Sequence, residues 1–108
     1  MNMMTEYRLS WLEQPGAPAL LLKLLERDEF ITRLLRSAVN PAGVATQDGL
    51  KTLRNILGSE RGVGFIDEEE RKGLGPRPRL YIFLTPLGRQ VAELLKQITD
   101  TLAENTPA

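Results

Sequence analysis

Residues 72–78 read Lys72-Gly73-Leu74-Gly75-Pro76-Arg77-Pro78, and no other segment limits the folds open to this chain so strongly. Its prolines lack the N–H that a helix or sheet would use, and its glycines lose the most backbone freedom on ordering, so regular structure is denied there. On either side lie the best strand candidates, residues 64–71 and 79–85, the second carrying Leu80-Tyr81-Ile82-Phe83-Leu84. Such side chains suit a pleated surface, and the arrangement predicted is a hairpin whose tip projects into solvent. Alternation places Leu80, Ile82 and Leu84 on the core face. Tyr81 and Phe83 fall on the other face, where the N-terminal segment or a second protomer is expected to cover them.

Upstream of the hairpin, apolar residues recur at helical spacing. Pro15-Gly16-Ala17-Pro18 punctuates the chain, and proline suits the first turn of a helix because its missing N–H would have no partner there. A first helix over residues 18–27 carries Leu20, Leu21, Leu22, Leu24 and Leu25, with Lys23 and Glu26 plainly polar, which makes it the centre of the core. Asp28 can cap a second helix over residues 29–38, where Phe30, Ile31, Leu34, Leu35 and Ala38 repeat at helical intervals. Asn40-Pro41-Ala42-Gly43 ends it with turn chemistry. Thr46 then caps a third helix with Leu50, Leu53, Ile56 and Leu57 on one face and Gln47, Asp48, Lys51, Thr52 and Asn55 on the other. Gly62 is placed to stop that helix in a left-handed conformation.

In residues 1–14, Tyr7, Leu9 and Trp11 alternate, which predicts a strand-like or irregular arm packed by its aromatic side chains; a helical alternative would use Leu9 and Leu12. In either case Trp11 anchors the arm to the domain. Thr85-Pro86 is a cap followed by proline at the first helical position, and Leu87, Val91, Leu94, Leu95, Ile98 and Leu102 mark a long amphipathic helix to about residue 103, with the remainder frayed. The series Val91, Leu94/Leu95, Ile98 and Leu102 has the form of a short coiled-coil seam, suited to its own domain or to a second copy. A chain of 108 residues fits a single domain with a thin core, which a twin would help to complete.

The sequence contains no His and no Cys. That removes imidazole bases, Ser-His-Asp triads, thiolate nucleophiles, disulfides and His- or Cys-ligated metals. The remaining carboxylates, lysines, tyrosines and hydroxyls show no spacing that joins an acid to a base, so neither enzymatic activity nor a cofactor is expected. The longest apolar run, residues 17–22, falls far short of the ~20 residues of a membrane span, and no basic leader precedes an apolar segment. A soluble, cytoplasmic protein is expected.

Charge is balanced overall, 14 Lys+Arg against 14 Asp+Glu, but unevenly placed. Residues 60–70 hold Glu60, Asp67, Glu68, Glu69 and Glu70 against Arg61 alone, whereas residues 71–79 hold Arg71, Lys72, Arg77 and Arg79 with no acid. A basic tip follows an acidic stem. Oxygen-rich runs such as Asp67 to Glu70 can bind Mg²⁺ or Ca²⁺, but in a strand alternate carboxylates point to opposite faces, and no glycine-centred calcium loop is present. No metal site is expected; a solvated run that protects a sheet edge accounts for these acids.

The order helix, helix, helix, hairpin, helix resembles the winged helix-turn-helix of small prokaryotic transcription regulators of the MarR-like and PadR-like kind, archaeal in character. The residues that carry the likeness are 46–63 and Leu80-Tyr81-Ile82-Phe83-Leu84-Thr85-Pro86-Leu87-Gly88-Arg89, the latter similar to a second wing strand running into a Leu-Thr-x-x-Gly-Arg helix start. It extends over about residues 18–98. Gly49 within the third helix and the acidic stem depart from the pattern. The resemblance implies a mainly α fold with a small β-hairpin (α+β), a three-helix core plus wing and C-terminal helix. Residues 1–17 would be an N-terminal arm, 18–85 the DNA-binding domain and 86–108 a dimerisation helix.

It further implies a homodimer that binds double-stranded DNA sequence-specifically, with the third helix in the major groove. Gln47, Lys51, Thr52 and Asn55 would lie at base edges and Arg54 on phosphate. Arg71, Lys72, Arg77 and Arg79 would supply the wing's contact to backbone or minor groove, on a loop stiffened by Pro76 and Pro78, with Arg77 foremost. The plainer reading of Arg71 and Lys72 is that they balance the acids across the hairpin. Gly49 would allow the second helix or the DNA backbone to approach, and Asp48, repelled by phosphate, would cap the helix start. Arg33 and Arg36 suit either the DNA backbone or solvated surface. Val91, Leu94, Leu95, Ile98 and Leu102 would form the dimer seam, and two-fold symmetry would demand a pseudo-palindromic site with half-sites about one helical turn apart. The leucines of the first helix are core, and no residue names an effector ligand.

A second reading stays open: a winged-helix protein–protein interaction module without DNA binding, whose basic tip docks on an acidic partner. Zero net charge and the acidic stem favour it. The two readings differ at the third helix, because a DNA reader needs Gln47, Lys51, Thr52 and Asn55 exposed in a row.

Overall fold

The computed structural model describes residues 9–73 and 75–105. After a 3₁₀ turn at Ser10–Glu13 come α1 (Ala17–Glu26), β1 (Glu29–Phe30), α2 (Ile31–Leu34), α3 (Gln47–Leu57), β2 (Ile66–Arg71), β3 (Arg79–Leu84) and α4 (Pro86–Asn105). The strands form one antiparallel sheet in the order β1-β3-β2. Three helices, a hairpin that closes a small sheet, and a long C-terminal helix constitute an α+β winged-helix fold, as the sequence predicts.

Helix α1 begins after Gly16, whose φ of 85° is open to glycine and strained for other residues, and whose missing Cβ would lie 2.8 Å from the Val44 carbonyl oxygen. Ala17, Leu20, Leu21 and Leu24 are fully buried, which makes α1 the centre of the core. One continuous apolar cluster runs from Trp11 through the leucines of α1 and α3 and the sheet residues Ile66, Ile82 and Leu84 to Ala92 of α4. Of the predicted arm, Ser10–Glu13 form a 3₁₀ turn, and Trp11 within it is anchored edge-on to Phe65, ring centroids 5.0 Å apart. Tyr7 lies outside the described residues.

The second helix departs most from expectation. The spacing predicts a helix over residues 29–38 capped by Asp28, but Glu29 and Phe30 pair instead with Ile82 and Tyr81 of β3, and the helix is confined to Ile31–Leu34. The backbone of β3 is thereby paired on both sides, so the hairpin is built into a three-stranded sheet. At the other end, Leu35 bridges Ala45, and the Asn40 side-chain amide donates to the carbonyls of Arg33 and Leu35, each at 2.8 Å. Those carbonyls would otherwise bond the next turn of helix.

Helix α3 starts as predicted, with the Gly49 N–H donating to Thr46 Oγ1 at 3.2 Å. It ends at Leu57, and its C-cap Gly58 is extended. Gly62 is not left-handed; positive φ among the described residues occurs at Gly16 and Gly64. Gly62 serves close approach instead, since a Cβ there would lie 1.9 Å from the Ile56 carbonyl oxygen. Helix α4 starts on Thr85, whose hydroxyl accepts from the Gly88 N–H at 3.0 Å and donates to the Gly64 carbonyl at 2.6 Å. Gly88 then packs its bare backbone on Phe65, and α4 lies along α1.

Candidate nucleic-acid interface

Helix α3 separates its faces cleanly. Leu50, Leu53 and Leu57 are buried, whereas Gln47, Lys51 and Asn55, at successive i, i+4 positions, are exposed together with Asp48 and Thr52. The four residues predicted to read bases therefore share one accessible face. Thr52 Oγ1 donates to the Asp48 carbonyl at 3.1 Å, so its proton is directed at its own helix and the lone pairs of the hydroxyl face outward. Asp48 lies in the first turn, where its charge complements the positive helix end, but the capping bond is made by Thr46. Gly49 does not admit the second helix: a Cβ there would meet Ala45 Cβ and Thr46 Oγ1, each at 3.3 Å, so its smallness serves the cap itself.

Arg54 stands differently from the other predicted contacts. It is half-buried, and its Nε and Nη2 donate to the two carboxylate oxygens of Glu68 at 2.5 and 3.3 Å. This two-point pair joins the last turn of α3 to strand β2. Beside it, a cleft of about 360 Å³ runs between helix and strand, lined among others by Lys51, Asn55, Ser59 and Asp67. The outer face of α3 thus borders the acidic stem.

In the wing, the pairing register sets Arg71 opposite Arg79, two like charges that part by bending in different directions. Arg71 donates to Asp28 at 2.8 Å and also to Glu69, and these carboxylates, Asp28 foremost, raise its pKa further and keep it charged. Its guanidinium lies over the Tyr81 ring at 4.6 Å and within 5.6 Å of Phe83. Arg79 lies over Phe30 at 5.0 Å, and Phe30 meets Tyr81 at a centroid distance of 4.2 Å. Among the described residues, arginines and Phe30 therefore cover the outer sheet face. Lys72 and Arg77 are exposed at the tip. Of the four wing bases, the two at the turn are thus presented outward, while the two at its base stack on the sheet.

On α4, Leu94, Ile98 and Leu102 are 57, 57 and 63 % exposed, whereas Val91 and Leu95 are half-buried against the core. Leu87, 49 % exposed, extends this outer stripe by two turns. Its spacing of four from Val91 is a signal present in the sequence. Two partners lacked such a signal: Asp28, which caps no helix but holds Arg71, and Glu29, whose buried carboxylate accepts from the Phe30 N–H at 3.1 Å beside Arg27 at 3.3 Å. No helix among the described residues is long and apolar enough to cross a membrane.

No family model matches the chain, and no curated protein matches it. Two solved structures share the fold. The circadian clock associated protein Pex from Anabaena superposes with a TM-score of 0.61 at 20% identity over 96% of each chain. Pex from Synechococcus superposes with a TM-score of 0.54 at 21% identity, over 92% of this chain and 98% of the other. At such identity the likeness defines the architecture over nearly the whole length.

Proposed function

We propose that this chain is a non-enzymatic, sequence-specific regulator of transcription that binds double-stranded DNA as a homodimer, in the manner of MarR-like and PadR-like winged-helix proteins. The observation that carries the reading is the exposed row Gln47, Lys51, Asn55 with Thr52, on a helix whose opposite face is fully packed. A packed inner face with donors and acceptors at i, i+4 spacing outside is what a helix needs to reach several base edges at once. Lys72 and Arg77 at the tip then neutralise phosphates to one side. The stripe Leu87, Leu94, Ile98 and Leu102, with Val91, supplies the seam for a second copy.

The test is selection from a random duplex pool, followed by a salt titration of the best sequence. A palindromic motif bound with a steep salt slope is expected. Retention of no sequence and no salt-sensitive binding would transfer the assignment to a protein-interaction module, a role favoured by the exposed Asp67, Glu69 and Glu70 along the stem.

A further inference from the structure

The alternation of β2 places Glu68 on the same face as Ile66 and opposite the buried Ile82, where the pattern of the strand calls for an apolar residue. A carboxylate at that position is stable because Arg54 answers it with two parallel N–H donors. The same pair takes from the reading helix the one arginine that its sequence offers, on the side of the cleft where Lys51 and Asn55 stand. Glu68 thus occupies Arg54 as a phosphate would: two oxygens, one negative charge, fork-on-fork geometry.

Building on the DNA reading, we infer that Glu68 limits affinity for duplex by competing with the DNA backbone for Arg54, so that the wing stem suppresses sequence-independent binding while the base-reading row is left intact. Asp67 lines the same cleft and adds repulsion. The expected consequence is a protein that depends on its base contacts more than a reader with a free arginine at this position would, since phosphate contacts hold every sequence equally.

The experiment is fluorescence anisotropy of the full chain with a random-sequence duplex over a roughly fourfold range of salt. Glu68→Gln keeps the shape and one acceptor for Arg54 and removes the charge. It should bind random duplex several-fold tighter than wild type, with a salt slope steeper by about 0.9, so that its advantage shrinks about threefold across the range. Adding Arg54→Gln to Glu68→Gln should abolish that gain, and this doubly neutral pair preserves a hydrogen bond should the single variant fold poorly. If Glu68→Gln folds, as judged by its thermal melt, and binds no more tightly than wild type, the inference is wrong and the DNA reading stands. A tighter single variant whose gain survives Arg54→Gln also overturns it. Absence of salt-dependent binding by wild type and both variants would instead remove the DNA reading, and this inference with it.

Discussion

At Gly88 the whole junction between wing and C-terminal helix depends on one absent methyl group. A Cβ there would lie 1.8 Å from the Phe65 carbonyl oxygen, with backbone atoms behind it, so nothing flexible can yield. Gly88→Ala should destabilise the chain by at least about 2 kcal/mol in urea denaturation, through backbone displacement. Trp11 makes the opposite case, a large side chain at 6 % exposure in a small core. Trp11→Ala should cost roughly 3 kcal/mol by the same measurement. The proposed DNA contacts behave differently, because Lys51 and Arg77 are exposed and hold no part of the fold together. Replacing both by alanine should leave the melting curve in place while weakening duplex binding, with sequence preference relaxed by the loss of Lys51 and the salt slope lowered by about 1 by the loss of Arg77. Unchanged affinity at physiological salt would remove these two residues from the interface.

Among the elements, the hairpin was written plainly in the sequence and the second helix was not. Residues 72–78 exclude regular structure by covalent chemistry alone, and the pattern of Leu80, Ile82 and Leu84 against Tyr81 and Phe83 leaves one way to orient the strand. Glu29 and Phe30 have no comparable local instruction. Their pairing with Ile82 and Tyr81 exists because β3, more than fifty positions later, presents an unpaired edge to them, and a helical spacing of apolar residues is satisfied equally well when Phe30 lies on a sheet and Leu34 in the core. The junction at Thr85 is intermediate. Its cap was legible as Thr85-Pro86, but the second bond, to Gly64, ties α4 to the loop before β2. Thr85→Ala should therefore cost more than the cap alone, about 2 kcal/mol in chemical denaturation, whereas Thr46→Ala, which loses only its bond to Gly49, should cost about 1 kcal/mol.

At the scale of the molecule, one core collects the N-terminal turn, the three helices, the sheet and α4, while α4 keeps an apolar stripe on its outer side. Leu94, Ile98 and Leu102 are more than half exposed, and burying such side chains against equivalent ones stabilises by roughly 1.5–3 kcal/mol each when complete. A double substitution of Leu94 and Ile98 by lysine should accordingly yield a folded monomer in sedimentation at concentrations where the wild-type chain is a dimer. If wild type is itself monomeric at micromolar concentration, the symmetric-operator reading loses its basis. The basic tip and the reading row lie on parts of the chain that α4 does not supply, so the lysine variant should still bind a half-site, with the affinity of one copy.

The sequence by itself determined where structure starts and stops at Gly16, Thr46, Thr85 and the 72–78 turn, because caps, prolines and glycines act through bonds within a few residues. It also determined which residues of α3 face outward, since helical period and apolar spacing leave one solution. Tertiary structure decided what the charges do. Arg54, Arg71 and Arg79 are alike in a sequence rich in both signs, yet one is locked to Glu68, one is held by Asp28 over Tyr81, and one stacks on Phe30. Long charged side chains choose partners by position in space, and those positions are fixed only when the sheet register brings residues forty-three apart, such as Asp28 and Arg71, within a hydrogen bond of each other.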